Sequence, residues 1–173
     1  MPGFDTLAIH AGAKPDPATG ARATPIYQTT AYVFDDADHA ASLFGLKAFG
    51  NIYTRIMNPT QAVLEERLAA LEGGTAALAT ASGHGAQLLI FHTLMRPGEN
   101  FIAARKLYGG SINQFGHAFK NFGWEVRWAD VDDPASFDKK IDNRTKAIHI
   151  ESLANPGGEL FQQGGDAHRL DEV

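Results

Sequence analysis

The chain has 173 residues, of which 44% are apolar, so it is long enough to bury a hydrophobic core. Its 15 basic and 20 acidic side chains give a net charge of -5, and no block rich in lysine or arginine is present, which argues against nucleic acid as a partner. Because there is no cysteine, disulfides and thiolate metal sites are excluded.

Residues 1–58 contain many turn formers, as in "GAKPDPATGARATP", and are predicted to form an extended arm. The amino terminus lacks a basic start followed by an apolar run, and no window approaches the length of a membrane span. A cytoplasmic protein without membrane association is therefore expected. Near the end of the arm, "GNIYTRIMNPT" presents Tyr53 and Arg55 with one residue between them.

From Asn58 onward, the pattern alternates between helices and strands. Asn58 suits a helix N-cap and Pro59 the first helical position, and apolar residues recur at helical spacing until Gly73. Four strand signals joined by three crossover helices then predict an open α/β sheet. The strands are residues 75–81, 100–104, 124–130 and 145–151, and the crossover helices are residues 82–95, 111–123 and 133–141.

In such a sheet, ligands bind at the carboxyl ends of the strands, so the residues that follow each strand are the candidates for a site. Residues 82–85, "SGHG", place backbone N–H groups at a helix amino terminus, which favours an anion such as phosphate. A glycine pair at this position also serves as a simple tight turn. Tyr108, followed by two glycines, is a ring that could stack on a planar ligand or lie at the rim. Asp130, Glu151 and Asn155 follow the later strands.

Five segments in a fixed order carry a resemblance to a known family: "YTRIMNPT", "LEGGTAAL", "SGHGA", "LYGG" and "ESLANP". Together they resemble the amino-terminal part of the Cys/Met-metabolism family of pyridoxal 5'-phosphate (PLP) enzymes, over residues 4–158. The resemblance implies an incomplete type I, aspartate-aminotransferase-like PLP-dependent transferase fold, mostly parallel sheet with flanking helices. It makes residues 1–58 an arm that contacts a neighbouring subunit and residues 59–173 the first part of the PLP-binding α/β domain.

The resemblance also implies how the cofactor is held. Tyr53 and Arg55 would grip the PLP phosphate of the neighbouring subunit, since a guanidinium binds phosphate oxygens in a bidentate manner. Within one subunit, the backbone amides of Gly83 and His84 would hold the same phosphate. Tyr108 would stack on the pyridine ring and take part in proton transfer, as the catalytic residue of this segment.

Two further positions receive roles from the resemblance. Asn155 would lie near the 3'-oxygen of the cofactor, and Glu151 would be an acid beside the ring pocket. A glutamate at the end of a strand can equally cap a helix or pair with an arginine such as Arg144. His149 is expected to be a core histidine rather than a base. No metal site is predicted, because the remaining candidate histidines lack a ligand spacing; they are His10, His92 and His117.

The implied activity is a γ-replacement in which O-acetylhomoserine and sulfide or a thiol give homocysteine or methionine and acetate. This places the protein in methionine biosynthesis and transsulfuration, as a homo-oligomer that is a dimer or a dimer of dimers. "FGNIYTRIMNPT" and "KLYGGSINQF" favour this branch of the family. Cystathionine γ-synthase and methionine γ-lyase activities remain open, as does an inactive fragment that acts only by associating with other subunits.

The chain departs from the family pattern in two ways that affect its expected activity. The family's Schiff-base lysine, the aspartate that pairs with the pyridine nitrogen and the arginine for the substrate carboxylate lie on later strands. Residues 159–173 also depart from the pattern, so the chain is expected to be truncated or altered in reading frame and inactive alone. No lysine of the chain lies in a matching motif; the lysines are Lys14, Lys47, Lys106, Lys120, Lys139, Lys140 and Lys146.

Overall fold

The computed structural model describes residues 2–158, so the departing tail at 159–173 lies outside the described residues. The described residues form two compact units, one up to Ala79 and the other from Thr80 onward. None of the helices described is long and apolar enough to cross a membrane. The predicted boundary at residue 58 is defined by contact with another subunit, and it stays a prediction.

The first unit is helical and irregular. Its helices are α1 (Phe4–His10), α2 (Ala37–Phe44) and α3 (Pro59–Glu72), so the predicted arm is not extended throughout. The carboxylate of Asp36 accepts the backbone N–H of His39, which explains why a helix forms inside the predicted arm. The helix predicted after Asn58 is confirmed, and it ends at Gly73 with a left-handed φ of 67°.

The predicted strand at residues 75–81 is wrong. This stretch has no regular structure and pairs with no strand in the described part of the chain, and Leu78 is 65% exposed. An apolar run forms a strand only where a neighbouring strand takes its backbone hydrogen bonds. Instead, the backbone N–H of Ala79 donates to the carboxylate of Glu65 on α3, at 2.8 Å.

The described part of the second unit contains a parallel sheet of three strands in the order β2-β1-β3. The three later strands predicted from the sequence are thereby confirmed. The strands are β1 (Asn100–Ala104), β2 (Glu125–Ala129) and β3 (Thr145–His149). The helices of this unit are α4 (Gly83–Leu94), α5 (Gly109–Gly116), a 3-10 helix (Ala118–Phe122) and α6 (Ala135–Asp138).

Two of the predicted crossover helices differ in length from the prediction. The helix predicted over 111–123 is two pieces, because α5 ends at Gly116 and the 3-10 helix begins at Ala118. A glycine inside a helix costs about 1 kcal/mol relative to alanine, so Gly116 is a natural place for the break. The helix predicted over 133–141 is reduced to the four residues of α6.

The core of the second unit is a cluster of phenylalanine rings against β1, a strand that is buried along its whole length. The ring centroids of Phe91 and Phe101 lie 4.2 Å apart, and those of Phe115 and Phe119 lie 5.2 Å apart. Because these rings come from α4, β1, α5 and the 3-10 helix, the cluster packs all three helices against the sheet. The same packing supports the turns at the carboxyl end of β1 and at the start of α4.

A polar network joins the three strands, with members at the amino ends of β1 and β3 and in the middle of β2. The side chain of Asn100, which is fully buried, donates to Asp142 at 2.9 Å and accepts from the hydroxyl of Thr145 at 2.8 Å. The guanidinium of Arg127 pairs with the other carboxylate oxygen of Asp142 at 2.9 Å. These contacts lower the pKa of Asp142, first through the Asn100 hydrogen bond, then through the backbone N–H of Arg144 and the Arg127 pair.

Replacing Asp142 with asparagine is expected to lower stability at neutral pH and to have less effect in acid. Because the folded-state pKa lies below the unfolded value of about 3.9, the carboxylate stabilises the fold above about pH 5. This stabilisation is lost as the pH falls through the folded pKa. Urea midpoints at about pH 7 and about pH 3 measure the difference, with the exposed Asp138→Asn as control. Parallel pH curves for Asp142→Asn and the unmodified chain would contradict the role of this carboxylate.

Candidate functional site

The turn before α4 presents free backbone donors, as the sequence predicted. The hydroxyl of Ser82 accepts the backbone N–H of Gly85 at 3.0 Å and so caps the helix. The first N–H groups of a helix have no acceptor within it, and those of Gly83 and His84 have none among the described residues. Both residues are exposed, so these two amides are available to an anion at the positive end of α4.

The ring of Tyr108 lies against this turn. Its centroid is 5.8 Å from that of the His84 imidazole, and the two planes are inclined by 27°, which is a stacked arrangement. Tyr108 is the residue before α5 and is 48% exposed. The structure therefore brings together residues that the sequence assigned to two separate strand ends.

Gly110 is a residue of this region that sequence reasoning treated only as a source of loop freedom. Gly109 and Gly110 are in fact the first two residues of α5. A Cβ on Gly110, with the two rings as they lie here, would overlap Cε1 of Tyr108 and Cε1 of His84. A side chain at this position would therefore displace one or both rings, and the doubled glycine of "LYGG" was the available signal.

Glu151 holds the main chain of Tyr108. Its two carboxylate oxygens accept the Tyr108 backbone N–H at 3.1 and 3.0 Å, so it caps the amino terminus of α5. Of the alternatives for this residue, the structure shows the helix cap, because Arg144 bonds to Asp142 instead. A direct contact between Glu151 and a cofactor ring stays a prediction.

Two glutamines that the sequence reasoning missed connect α4 to α5. The amide of Gln114 donates to the backbone carbonyl of His84 at 3.0 Å. The amide of Gln87 donates to the hydroxyl of Ser111 at 2.9 Å, and Ser111 is fully buried. These bonds connect the turn before α4 to the helix that follows Tyr108. No sequence signal marks them, because a glutamine on a helix is usually a solvated surface residue.

His149 packs inside the unit, as expected for a core histidine. Its ring meets that of Phe115 edge to face, with centroids 4.9 Å apart. Burial lowers the pKa of His149, and the nearby carboxylate of Glu151 opposes that shift. Asn155 lies on the exposed turn after β3, and its place near a cofactor oxygen stays a prediction. Within residues 2–158, no group of three His, Asp or Glu side chains is arranged to hold a metal ion.

Tyr53 and Arg55 lie in the first unit and are presented side by side. Cζ of Arg55 is 5.9 Å from the centroid of the Tyr53 ring, a cation–π distance. Tyr53 is 41% exposed, Arg55 is also exposed, and Tyr53 forms an isolated antiparallel bridge with Ala31. The pair thus offers a phenol and a guanidinium to solvent from one short segment. Its part in the phosphate site of another subunit stays a prediction.

Comparison with known proteins supports one family. The model of the family described as "Cys/Met metabolism PLP-dependent enzyme" matches residues 5–162. The O-acetyl-L-homoserine sulfhydrylase of Leptospira meyeri is 52% identical over 88% of this chain and 34% of its own length. The homocysteine/cysteine synthase of Kluyveromyces lactis is 55% identical over 88% of this chain and 35% of its own length. The chain therefore spans about a third of the length of these relatives.

A solved structure supports the same family. The putative O-acetylhomoserine (thiol)-lyase of Campylobacter jejuni, which carries an N'-pyridoxyl-lysine-5'-monophosphate, superposes with a TM-score of 0.88 at 42% identity. The match covers 94% of this chain and 40% of that one. The fold of this chain is therefore shared with part of a structure that carries a pyridoxyl-lysine adduct.

Proposed function

This chain belongs to the Cys/Met metabolism family of PLP-dependent enzymes and has part of the type I fold, and from this premise we propose that it acts within an O-acetylhomoserine sulfhydrylase. The relatives named for O-acetyl-L-homoserine and for homocysteine, at 52% and 55% identity, support this substrate and this product. The observation that carries the proposal is the juxtaposition of the free amides at α4 with the Tyr108 ring. The PLP-loaded enzyme that contains this segment is called the holoenzyme below.

The candidate site fits a phosphorylated aromatic ring. The N–H groups of Gly83 and His84 would bind the phosphate from the same subunit. Tyr108 is half-exposed and already stacks on the flat imidazole of His84, so its face would accept the pyridine ring of PLP. When bound, PLP supplies an electron sink for the breaking of bonds at the amino-acid substrate.

The remaining residues would complete the site, two of them from a neighbouring subunit and the others from the same subunit. Tyr53 and Arg55 would bind the same phosphate from a neighbouring subunit, which makes a homotetramer built from such dimers part of the proposal. Asn155 would lie near the 3'-oxygen of the cofactor. Glu151, by fixing the backbone of Tyr108, would hold its phenol where it can move a proton at the substrate. A cytoplasmic role in methionine biosynthesis belongs to the same proposal.

The test is a product analysis of the holoenzyme. With O-acetylhomoserine and sulfide, the bond between the γ carbon and the acetate oxygen should break and a carbon–sulfur bond should form, giving homocysteine and acetate in equal amounts. Cystathionine as the main product with cysteine would assign a cystathionine γ-synthase instead. Release of methanethiol from methionine, without use of O-acetylhomoserine, would assign a methionine γ-lyase. Either result would overturn the proposed reaction while leaving the family unchanged.

A further inference from the structure

Asn58 lies at the start of α3 and is one of the few buried polar residues described, with 6% of its surface exposed. Its side-chain oxygen accepts the backbone N–H of Thr60 at 2.9 Å and so caps the helix. Its side-chain nitrogen donates to the carbonyl of Tyr27 at 2.9 Å and to the hydroxyl of Thr54 at 3.1 Å. The amide therefore has a partner for its acceptor and for both of its donors.

The hydrogen bond from Asn58 to Thr54 reaches the residue that lies between Tyr53 and Arg55 in the sequence. The backbone N–H of Thr54 donates to the carbonyl of Thr30 at 2.8 Å, and its hydroxyl donates to the carbonyl of Thr29. Thr54 thus belongs to an antiparallel pairing of residues 29–32 with residues 52–54. Through the Thr54 hydroxyl, Asn58 connects this pairing to the first turn of α3.

Capping alone does not require asparagine at this position. Serine and aspartate cap helices about as well as asparagine does, because a cap needs only a side-chain oxygen. The two donated hydrogen bonds are what asparagine adds: one goes to the carbonyl of Tyr27, and the other goes to Thr54 in the segment that carries Tyr53 and Arg55. Since Tyr53 and Arg55 are themselves exposed, the direction of their side chains depends on the backbone at Thr54.

We propose that Asn58 is a positioning residue that orders the Tyr53–Arg55 segment for phosphate binding. This inference rests on the proposed function of that pair. Asn58 does not touch the phosphate; it fixes the backbone from which the guanidinium and the phenol extend. Preorganisation of this kind raises affinity because the segment is already ordered before the anion binds.

Two pairs of variants separate this role from helix capping. Asn58→Asp and Asn58→Ser keep an oxygen for the cap and remove the side-chain amide that donates to Tyr27 and Thr54. Thr54→Val removes the hydroxyl that receives the Asn58 bond and leaves the cap untouched, whereas Thr54→Ser retains a hydroxyl. If a variant of Asn58 fails to fold, the Thr54 pair still tests the proposal, because neither Thr54 substitution changes the cap of α3.

The readout is the affinity of the enzyme for PLP compared with pyridoxal, which lacks the phosphate. Asn58→Asp, Asn58→Ser and Thr54→Val are each expected to weaken PLP binding by about three- to ten-fold, the loss that one or two hydrogen bonds produce. Pyridoxal binding should be unchanged, and Thr54→Ser should recover most of the PLP affinity. Amide hydrogen exchange should become faster at Tyr32 and Thr54, while the amides inside α3 stay protected.

Equal losses for PLP and pyridoxal, or loss of protection throughout α3, would overturn the positioning role, because they would show a general structural defect. Weakened PLP binding in Arg55→Ala together with unchanged binding in Thr54→Val and both Asn58 variants would overturn the inference and keep the proposed phosphate site. Unchanged PLP affinity in Arg55→Ala itself would remove the phosphate site and the positioning role with it.

Discussion

Replacing Arg55 with alanine is expected to weaken the binding of PLP to the holoenzyme by about 10- to 100-fold. The estimate follows from the loss of a charged hydrogen bond worth about 1.5–3 kcal/mol, where about 1.4 kcal/mol corresponds to a tenfold change in affinity. Fluorescence or absorbance titration with PLP measures the change. Arg22→Ala is the matched control, since Arg22 is also an exposed arginine of the first unit and lies outside the motif. Equal PLP affinity in the two variants would remove Arg55 from the site.

The same position also tests which subunit the arginine serves. Arg55→Lys is expected to restore only part of the affinity, because an ammonium replaces a bidentate fork. If Arg55 acts on a neighbour, mixing and refolding an inactive Arg55 variant with a variant that lacks the Schiff-base lysine should restore activity, since one site of each hybrid then has both groups. Persistent inactivity in proven hybrids would place Arg55 and Tyr53 in the site of their own subunit.

Replacing Phe115 with alanine is expected to destabilise the second unit by about 3–5 kcal/mol, as large-to-small substitutions of core aromatics do. Phe115 is fully buried, and its ring contacts those of Phe91, Phe101, Phe119 and His149. Because small domains are stable by only about 5–15 kcal/mol, this loss is a large part of the total. Urea unfolding followed by tryptophan fluorescence measures the free energy of unfolding.

Phe122→Ala is the matched control for this substitution. Phe122 is 41% exposed and stacks on Trp124 with ring centroids 4.8 Å apart. Its removal should cost clearly less than that of Phe115, because its side chain is only partly buried and the stacked pair adds about 1 kcal/mol to that burial. Similar losses at Phe115 and Phe122 would show that the ring cluster is not the main source of stability in this unit.

The sequence predicted the elements that local pattern determines. The strands at 100–104, 124–130 and 145–151 were predictable because each is a short apolar or alternating run between turn residues. The run at 75–81 has the same local pattern, yet it is not a strand. A strand forms only when another strand, distant in sequence, lies beside it, and among the described residues none lies beside this run. Local pattern cannot distinguish these two cases.

In the candidate site, too, local features were predictable and contacts between distant segments were not. Asn58 was recognisable as the position before a helix, since capping is a local property, and the start of the helix at residues 82–85 was recognisable in the same way. The contact of Gly110 with two rings, the bond from Gln114 to His84 and the bonds from Asn58 to distant partners arise from packing between segments. They require coordinates because no spacing along the chain encodes them.

The strand order β2-β1-β3 has a consequence for biosynthesis on the ribosome. The central strand is made first, and both of its neighbours are made later. At synthesis rates of about 5–20 residues per second, β1 leaves the ribosome seconds before either partner can pair with it. During that interval, the apolar segment "NFIAA" has unsatisfied backbone groups on both sides. The nascent chain should therefore be a substrate for chaperones that bind short apolar peptides, until β3 arrives and closes the second side of the strand.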